Sequence, residues 1–353
     1  MHRRDTTDAV FSVRPIRTVA ELEDKLCEPA PGLIDAMSRL EGDILILGVG
    51  GKMGPSLAQL AVRAIEASGV ERRVIAVSTF SAKGVRKRLE SLGVETIQAD
   101  LLEPGTCDGL PDAPNVIYMV GRKFGSTGAE WLTWATNVYL PGLVVQRFKE
   151  ARIVAFSSGN VYPLVPVTGG GSTESTLPEP VGEYAITCLG RERIFEHFSR
   201  KLETKVLLLR LNYAVELRYG VLADIAAQVW DAASIDLAMG QLNCVWQGYA
   251  NSMALQGFPL AASPPRVLNV TGPELISIRW LAARFGELMG KKPTFIGEEA
   301  GTALLSNAAQ CHRLFGYPQV SLETLIEWVA QWVMAGGELL GKPTHYATRN
   351  GRY

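Results

Sequence analysis

Apolar runs of strand length recur along the first 211 residues, at 43–48, 73–78, 94–98, 115–120, 152–157 and 205–211, with helical patterns between most of them. Runs of Ile, Leu and Val without polar alternation are what a strand buried on both faces requires. Strands of this kind alternating with helices predict an α/β fold with a doubly wound parallel sheet, helices on both faces and ligands at the carboxyl ends of the strands. After Leu211 the rhythm changes. Helical segments at 219–233, 277–290 and 321–335 are interleaved with short extended runs at 243–247 and 266–270, as expected of a smaller C-terminal lobe partly woven into the sheet. Two short helices, Ala20–Leu26 and Leu33–Leu40, precede the first strand and are expected to pack on the outside, as structural padding or an oligomer contact. The division expected is a helical extension over 1–42, a sheet domain over 43–212 with return segments near 241–272, a smaller lobe over 213–340 and a tail over 341–353.

The first strand ends in glycines: Asp43-Ile-Leu-Ile-Leu-Gly48-Val-Gly50-Gly51-Lys52-Met53-Gly54, followed by a helical run from Ser56 to Ser68. Strand, glycines and helix in that order describe a dinucleotide site. The glycines let the backbone turn sharply and approach a pyrophosphate, and the free N–H groups of the next helix face the anion. An ordinary tight βα turn would also use glycine. A phosphate loop of the GxxxxGK[ST] type is excluded, because Met53 stands where the magnesium-binding hydroxyl is needed. The fold expected is therefore Rossmann-type, with a substrate lobe behind it.

Composition narrows the partners. Lys and Arg number 35 and Asp and Glu 36, for a net charge of -1, so no bulk field favours nucleic acid or an anionic membrane. A small-molecule partner is expected. Five scattered cysteines (27, 107, 188, 244, 311) without a CxxC pair, and four histidines without metal-ligand spacing, predict reduced thiols and no metal. The start, Met-His-Arg-Arg-Asp, lacks an apolar leader core, and no run reaches membrane-spanning length, so a cytoplasmic protein is expected.

Further motifs follow in order. The strand ending at Ser157 runs into Ser158-Gly159-Asn160-Val161-Tyr162. A Pro- and Gly-rich loop over 162–181, too long for a simple connection and expected to cover substrate, leads to Gly182-Glu183-Tyr184-Ala-Ile-Thr-Cys188 at the start of a helix. Together with Gly48-x-x-Gly51-x-x-Gly54, Asp100-Leu101, Leu209-Arg210-Leu211-Asn212-Tyr213 and Leu268-Asn269-Val270-Thr271-Gly272, these resemble the extended short-chain dehydrogenases/reductases, in the NAD-dependent epimerase/dehydratase family, over roughly residues 43–335. The resemblance implies that Ser158 and Tyr184 handle the proton of a carbinol or ketone beside a nicotinamide. It implies cofactor contacts from Gly48, Gly51, Lys52, Met53, Gly54, Ser78, Thr79, Asp100, Leu101, Val120, Gly121, Tyr184 and Cys188. A helix cap would equally explain Asp100.

One departure stands out. The family's catalytic lysine, four residues after the tyrosine, is Cys188 here. On a helix, positions i and i+4 share a face, so that ammonium lowers the tyrosine pKa, which a thiol does not. A free phenol near pKa 10 is only about 0.1% ionised at pH 7, so base-catalysed alcohol oxidation suffers most, while a neutral tyrosine still donates a proton to a ketone. Arg191 lies seven residues on, on a similar helix face. Cys188 reads as a small buried residue rather than a reactive thiol.

The cofactor is NAD or NADP. No acidic residue ends the second strand, and Lys83, Arg86, Lys87 and Arg88 follow, which favours NADP unless they form a solvated helix face. Arg122, Lys123, Arg210 and Arg218 suggest an anionic substrate, a sugar acid or a nucleotide sugar, with Asn160 and Asn212 also on the substrate. Solvated charges and polar caps would explain the same residues. Gly159-Asn160 replace the Asp-Glu pair of sugar dehydratases in the family, which disfavours dehydration and leaves reversible oxidation or epimerisation. The competing reading is a nucleotide-binding sensor or scaffold with impaired catalysis. Relatives pair helices matching 128–150 and 182–200 into a homodimer, although Trp131, Trp134, Ile194, Phe195 and Phe198 would also pack within one chain.

Overall fold

In a computed structural model, which describes residues 11–123, 128–342 and 344–351, seven parallel strands form the central sheet. They are β1 (Ile44–Leu47), β2 (Val74–Ser78), β3 (Glu95–Gln98), β4 (Asn115–Tyr118), β5 (Arg152–Ser158), β6 (Lys205–Leu211) and β7 (Arg266–Val270), in the order β7-β6-β5-β4-β1-β2-β3. The chain start Met1–Asp5 and Phe124 and Gly125 of the loop after β4 lie outside the described residues. The strand order reverses between β1 and β4, whose ends (Leu47 beside Tyr118) flank the crevice where such sheets bind ligands.

The continuous Ile-Leu-Ile-Leu of β1 reflects burial on both sides. Ile44 and Ile46 face one apolar layer and Leu45 and Leu47 the other, all fully buried. The first layer contains α1 (Val19–Leu26), α2 (Pro31–Arg39) and α3 (Gly54–Ser68), so the N-terminal helices are built into the core through Leu22, Leu26, Leu33 and Met37. Thr18 and Glu21 close α1 with a reciprocal capping box. A short helix, α4 (Val85–Ser91), links β2 to β3.

On the opposite face α5 (Glu130–Trp134) continues through one π-helical turn (Ala135–Tyr139) into α6 (Leu140–Arg147), which packs beside α7 (Glu183–Leu202). Phe195 of α7 meets Tyr118 of β4 edge to face, with ring centroids 5.4 Å apart. The π turn directs Asn137 inward, fully buried.

The C-terminal lobe packs α8 (Val221–Trp230), α10 (Ile278–Met289) and α12 (Leu322–Met334) together, while α9 (Gln247–Gln256) lies against α3 and the short α11 (Ala309–Phe315) against β7. The expected run at 266–270 returns to the sheet as its edge strand beside β6. The run at 243–247 does not join it. Val245–Trp246 pairs instead with Ala214–Val215, and Gln241–Leu242 with Ile276–Ser277. The extension crosses to this lobe, where the buried Glu327 carboxylate accepts hydrogen bonds from the Ser12 and Val13 amides and the Ser12 hydroxyl, at 2.6, 3.0 and 2.8 Å. Among the described residues no helix is long and apolar enough to cross a membrane, and the five cysteines are free and buried.

Candidate active site

Backbone geometry sets the glycine turn. Gly48 has φ +89°, and a Cβ there would stand 2.8 Å from the Val120 amide nitrogen; one on Gly54 would stand 2.1 Å from the Val49 carbonyl oxygen. The chain itself therefore requires these two. Gly50, outside the fingerprint read from sequence, leaves room for the Ser78 hydroxyl, which a Cβ would meet at 2.4 Å. Gly51 differs: a Cβ would meet the Gly48 carbonyl at an ordinary 3.5 Å, and the residue borders the cleft. The space it leaves belongs to the cleft, and α3 starts beyond it with Pro55 in its first turn and no side-chain cap. Uncapped N–H groups behind a bare backbone fit a dinucleotide pyrophosphate.

That cleft, about 310 Å³, is walled by Gly51, Lys52 and Met53 on one side and by Ser158, Asn160 and Tyr184 on the other. Ser158 caps the 3-10 turn Gly159–Val161: its hydroxyl accepts from the Asn160 amide and donates to the Asn160 side-chain oxygen, both at 3.1 Å. Tyr184, in the first turn of α7, places its phenol in hydrogen-bond contact with Ser158 and with Cys188. Burial pushes the phenol well above its usual pKa and the neighbouring Cys188 pushes the same way, while Arg191 and the Ser158 hydrogen bond pull it back. At neutral pH Tyr184 is a proton donor. Cys188 sits fully buried among Val161 and Tyr162, its thiol raised by that burial, as a packing residue.

Two lysines line the cleft. Lys123 places its ammonium 5.9 Å from the centre of the Tyr184 ring, and burial brings its pKa down to about 8. Lys52 lies 4.0 Å over the Tyr219 ring and donates to the Ala214 carbonyl at 3.5 Å; burial lowers it to about 7, against the pull of Glu216. The loop carrying Lys123 is clamped by Asn137, whose side-chain oxygen accepts from the Arg122 amide (2.8 Å) and from Arg191 Nη2 (2.9 Å). Its amide donates to the Arg122 carbonyl and the Thr187 hydroxyl, both at 3.0 Å. All four hydrogen-bonding positions of Asn137 are used. Gly121 makes room for Arg191, whose Nη2 a Cβ would approach to 2.8 Å.

Several expected site residues lie elsewhere. Arg210, 4% exposed, does not line the cleft: its Nε and Nη2 bind the buried Glu192 carboxylate at 2.9 and 2.6 Å, and its guanidinium covers the Tyr162 ring. Arg218 pairs with Glu216 and Glu23 and borders a different cavity, with Asp224 and Asp236. Arg122 contributes its clamped backbone rather than a wall of the cleft. Asp100 is exposed and accepts from the Leu102 amide at 3.0 Å, a turn cap. Thr79, Leu101 and Val120 do not line the cleft either; Leu101 is buried and Val120 packs against Gly48. Ser78 lies behind Gly50. Gly121 and Asn212 do line it, although the Asn212 amide donates to the Asn243 side chain at 2.7 Å. The 162–181 loop borders a neighbouring cavity instead, through Val167, Gly170 and Gly171, and is pinned by pairing of Val165–Pro166 with Thr302–Ala303.

One wall residue came with no sequence signal. Thr344, in the C-terminal tail, reaches the cleft and is tied to the Asp224 carboxylate through its amide (2.8 Å) and hydroxyl (2.6 Å).

The sequence profile of the NAD dependent epimerase/dehydratase family matches residues 44–216. Among solved structures, the chain is similar to a UDP-glucuronic acid 4-epimerase from Bacillus cereus in complex with NAD, at 18% identity and TM-score 0.68 over 82% of this chain and 98% of that one. It is also similar to a UDP-glucose 4-epimerase from Thermotoga maritima with UDP-glucose (16%, TM-score 0.66, 82% and 98%). A third is the dTDP-glucose 4,6-dehydratase of Streptomyces venezuelae with NAD and TYD bound (17%, TM-score 0.65, 82% and 96%). No curated protein sequence matches the chain.

Proposed function

Since the chain belongs, through residues 44–216, to the NAD dependent epimerase/dehydratase family, we propose that it oxidises or epimerises a secondary alcohol of a nucleotide-linked sugar with NAD as cofactor. The observation that carries this is the meeting of Ser158 and Tyr184 at the cleft that Gly51 leaves open beside the uncapped start of α3. Gly51, Lys52 and the first amides of α3 would hold the pyrophosphate. Bound NAD would supply the hydride acceptor for the carbinol carbon and, once reduced, the hydride donor that restores it from either face. Ser158 holds the substrate oxygen and Tyr184 exchanges its proton with that oxygen. The similar structures with bound UDP-sugars support the substrate class, and Lys52 and Lys123 supply positive charge for an anionic one.

The cations after β2 support NADP less than their number suggests. Arg86 is paired with Glu90, and Arg88 with Glu23 and Gln59, which leaves Lys83 and Lys87 for a 2'-phosphate. The test is incubation with NAD and UDP-glucuronic acid or UDP-glucose, followed by proton NMR at the sugar C4 and by absorbance of reduced cofactor. Conversion of either sugar supports the assignment. Cofactor binding without conversion of any sugar nucleotide favours the sensor or scaffold reading, to which Cys188 points.

Trp131 (73% exposed), Tyr139 (61%), Trp134 and Ile186 present an apolar surface on α5, the π turn and α7, whereas Phe195 is spent inside the chain. A homodimer through this face is part of the proposal. Sedimentation equilibrium should return twice the 38.3 kDa chain mass, and a monomer at micromolar concentration contradicts it.

A further inference from the structure

A buried phenol that must pass through its anion needs a positive charge nearby, and the i+4 position of α7 offers only the Cys188 thiol. Arg191 is one such charge and already pulls the phenol down along the helix, with its guanidinium fixed by donation from Nη1 to the Phe156 carbonyl at 2.8 Å and from Nη2 to Asn137 at 2.9 Å. Lys123 comes from a different element, the loop after β4. Its ammonium stands 5.9 Å from the Tyr184 ring centre, it borders the same cleft as Ser158 and Tyr184, and it is close enough to Cys188 for the two to shift each other's ionisation. The backbone just before it is held on both sides by Asn137, so the base of the side chain is fixed although it sits on a loop.

We infer that Lys123 is a positioning residue for Tyr184, supplying across the cleft the positive charge that Cys188 does not supply along the helix. The inference rests on the proton-transfer role proposed for Tyr184. A unit charge about 6 Å away changes a partly buried phenol by one to two pKa units at the effective dielectric of such sites. The groups near Lys123 are Tyr184 and Cys188 on α7 and Asp224 on α8, and Arg191, Lys52 and Tyr219 line the same cleft. Burial lowers Lys123 to about 8, so its charge is present below that pH and fades above it.

The test compares Lys123→Met, Lys123→Arg and the double variant Lys123→Met/Cys188→Lys with the unaltered protein. The first readout needs no substrate: the protein is labelled with fluorotyrosine, a more acidic phenol, and the Tyr184 resonance is identified by its loss in Tyr184→Phe. In Lys123→Met the apparent pKa of that phenol should rise by about one unit, and in the arginine and double variants it should return toward the starting value. The second is turnover in the ketone-reducing direction. Lys123→Met should lose about tenfold or more, lose the decline above pH about 8, and recover with lysine at 188. NADH affinity, measured alongside, should change by less than about threefold. A Tyr184 titration identical in Lys123→Met and the unaltered protein overturns the inference, as does a double variant no better than the single one. Failure of NADH to bind the unaltered protein sinks the proposed function instead and leaves the phenol titration to decide Lys123.

Discussion

Tyr184→Phe should reduce turnover by about 10²- to 10⁴-fold while leaving cofactor affinity nearly unchanged, the span that a positioned acid–base group contributes. The change removes one oxygen from a residue that touches Ser158 and Cys188 at the cleft wall, and the ring can keep its place in α7. Because burial holds the phenol neutral, the loss should be greater for proton donation to a ketone at pH 7 than the weak basicity of the site would suggest. Steady-state rates in both directions, with NADH affinity alongside, check this. Unchanged turnover in the phenylalanine variant would remove Tyr184 from the chemistry.

Glu192→Ala is expected to cost about 3–5 kcal/mol of stability, the penalty for stranding one member of a buried ion pair. Glu192 is 2% and Arg210 4% exposed, and the carboxylate also accepts from the Ser157 hydroxyl, next to Ser158. The loss leaves Arg210 in a low-dielectric site with Tyr162 its remaining neighbour of note. Urea denaturation at pH 7 measures the effect. Replacing both residues together, as Glu192→Leu/Arg210→Met, should recover much of the loss, since apolar side chains of similar size need no compensating charge. A single variant as stable as the parent would show that the pair contributes nothing to holding α7 against β6.

These two residues mark where the sequence is legible and where it is not. The places of Tyr184 and Ser158 at one cleft are readable because local context fixes them: a serine at a strand end, a tyrosine opening a helix. The glycine turn is readable for the same reason, since φ +89° at Gly48 and the contact of Gly54 with Val49 leave little choice of residue. The sheet strands are readable because burial on both faces removes polar alternation. Arg210 is not, because apolar periodicity around a charged residue does not say which carboxylate answers it; the answer, Glu192, comes from another element. Thr344 reaches the cleft from the tail only through Asp224, and Asn137 clamps the Lys123 loop only because one π turn rotates it inward. The two-residue strands of the C-terminal lobe are set by remote pairing partners, so local pattern does not announce them.

The central claim is that the cleft beside Gly51 holds a nicotinamide dinucleotide. The most direct measurement is titration of the purified protein with NADH and, separately, NADPH, following quenching of its seven tryptophans and energy transfer to the reduced nicotinamide, with Gly51→Val as the control. The account predicts micromolar, saturable NADH binding that the folded Gly51→Val protein loses. No binding of either nucleotide, or equal binding by the valine variant, would contradict it.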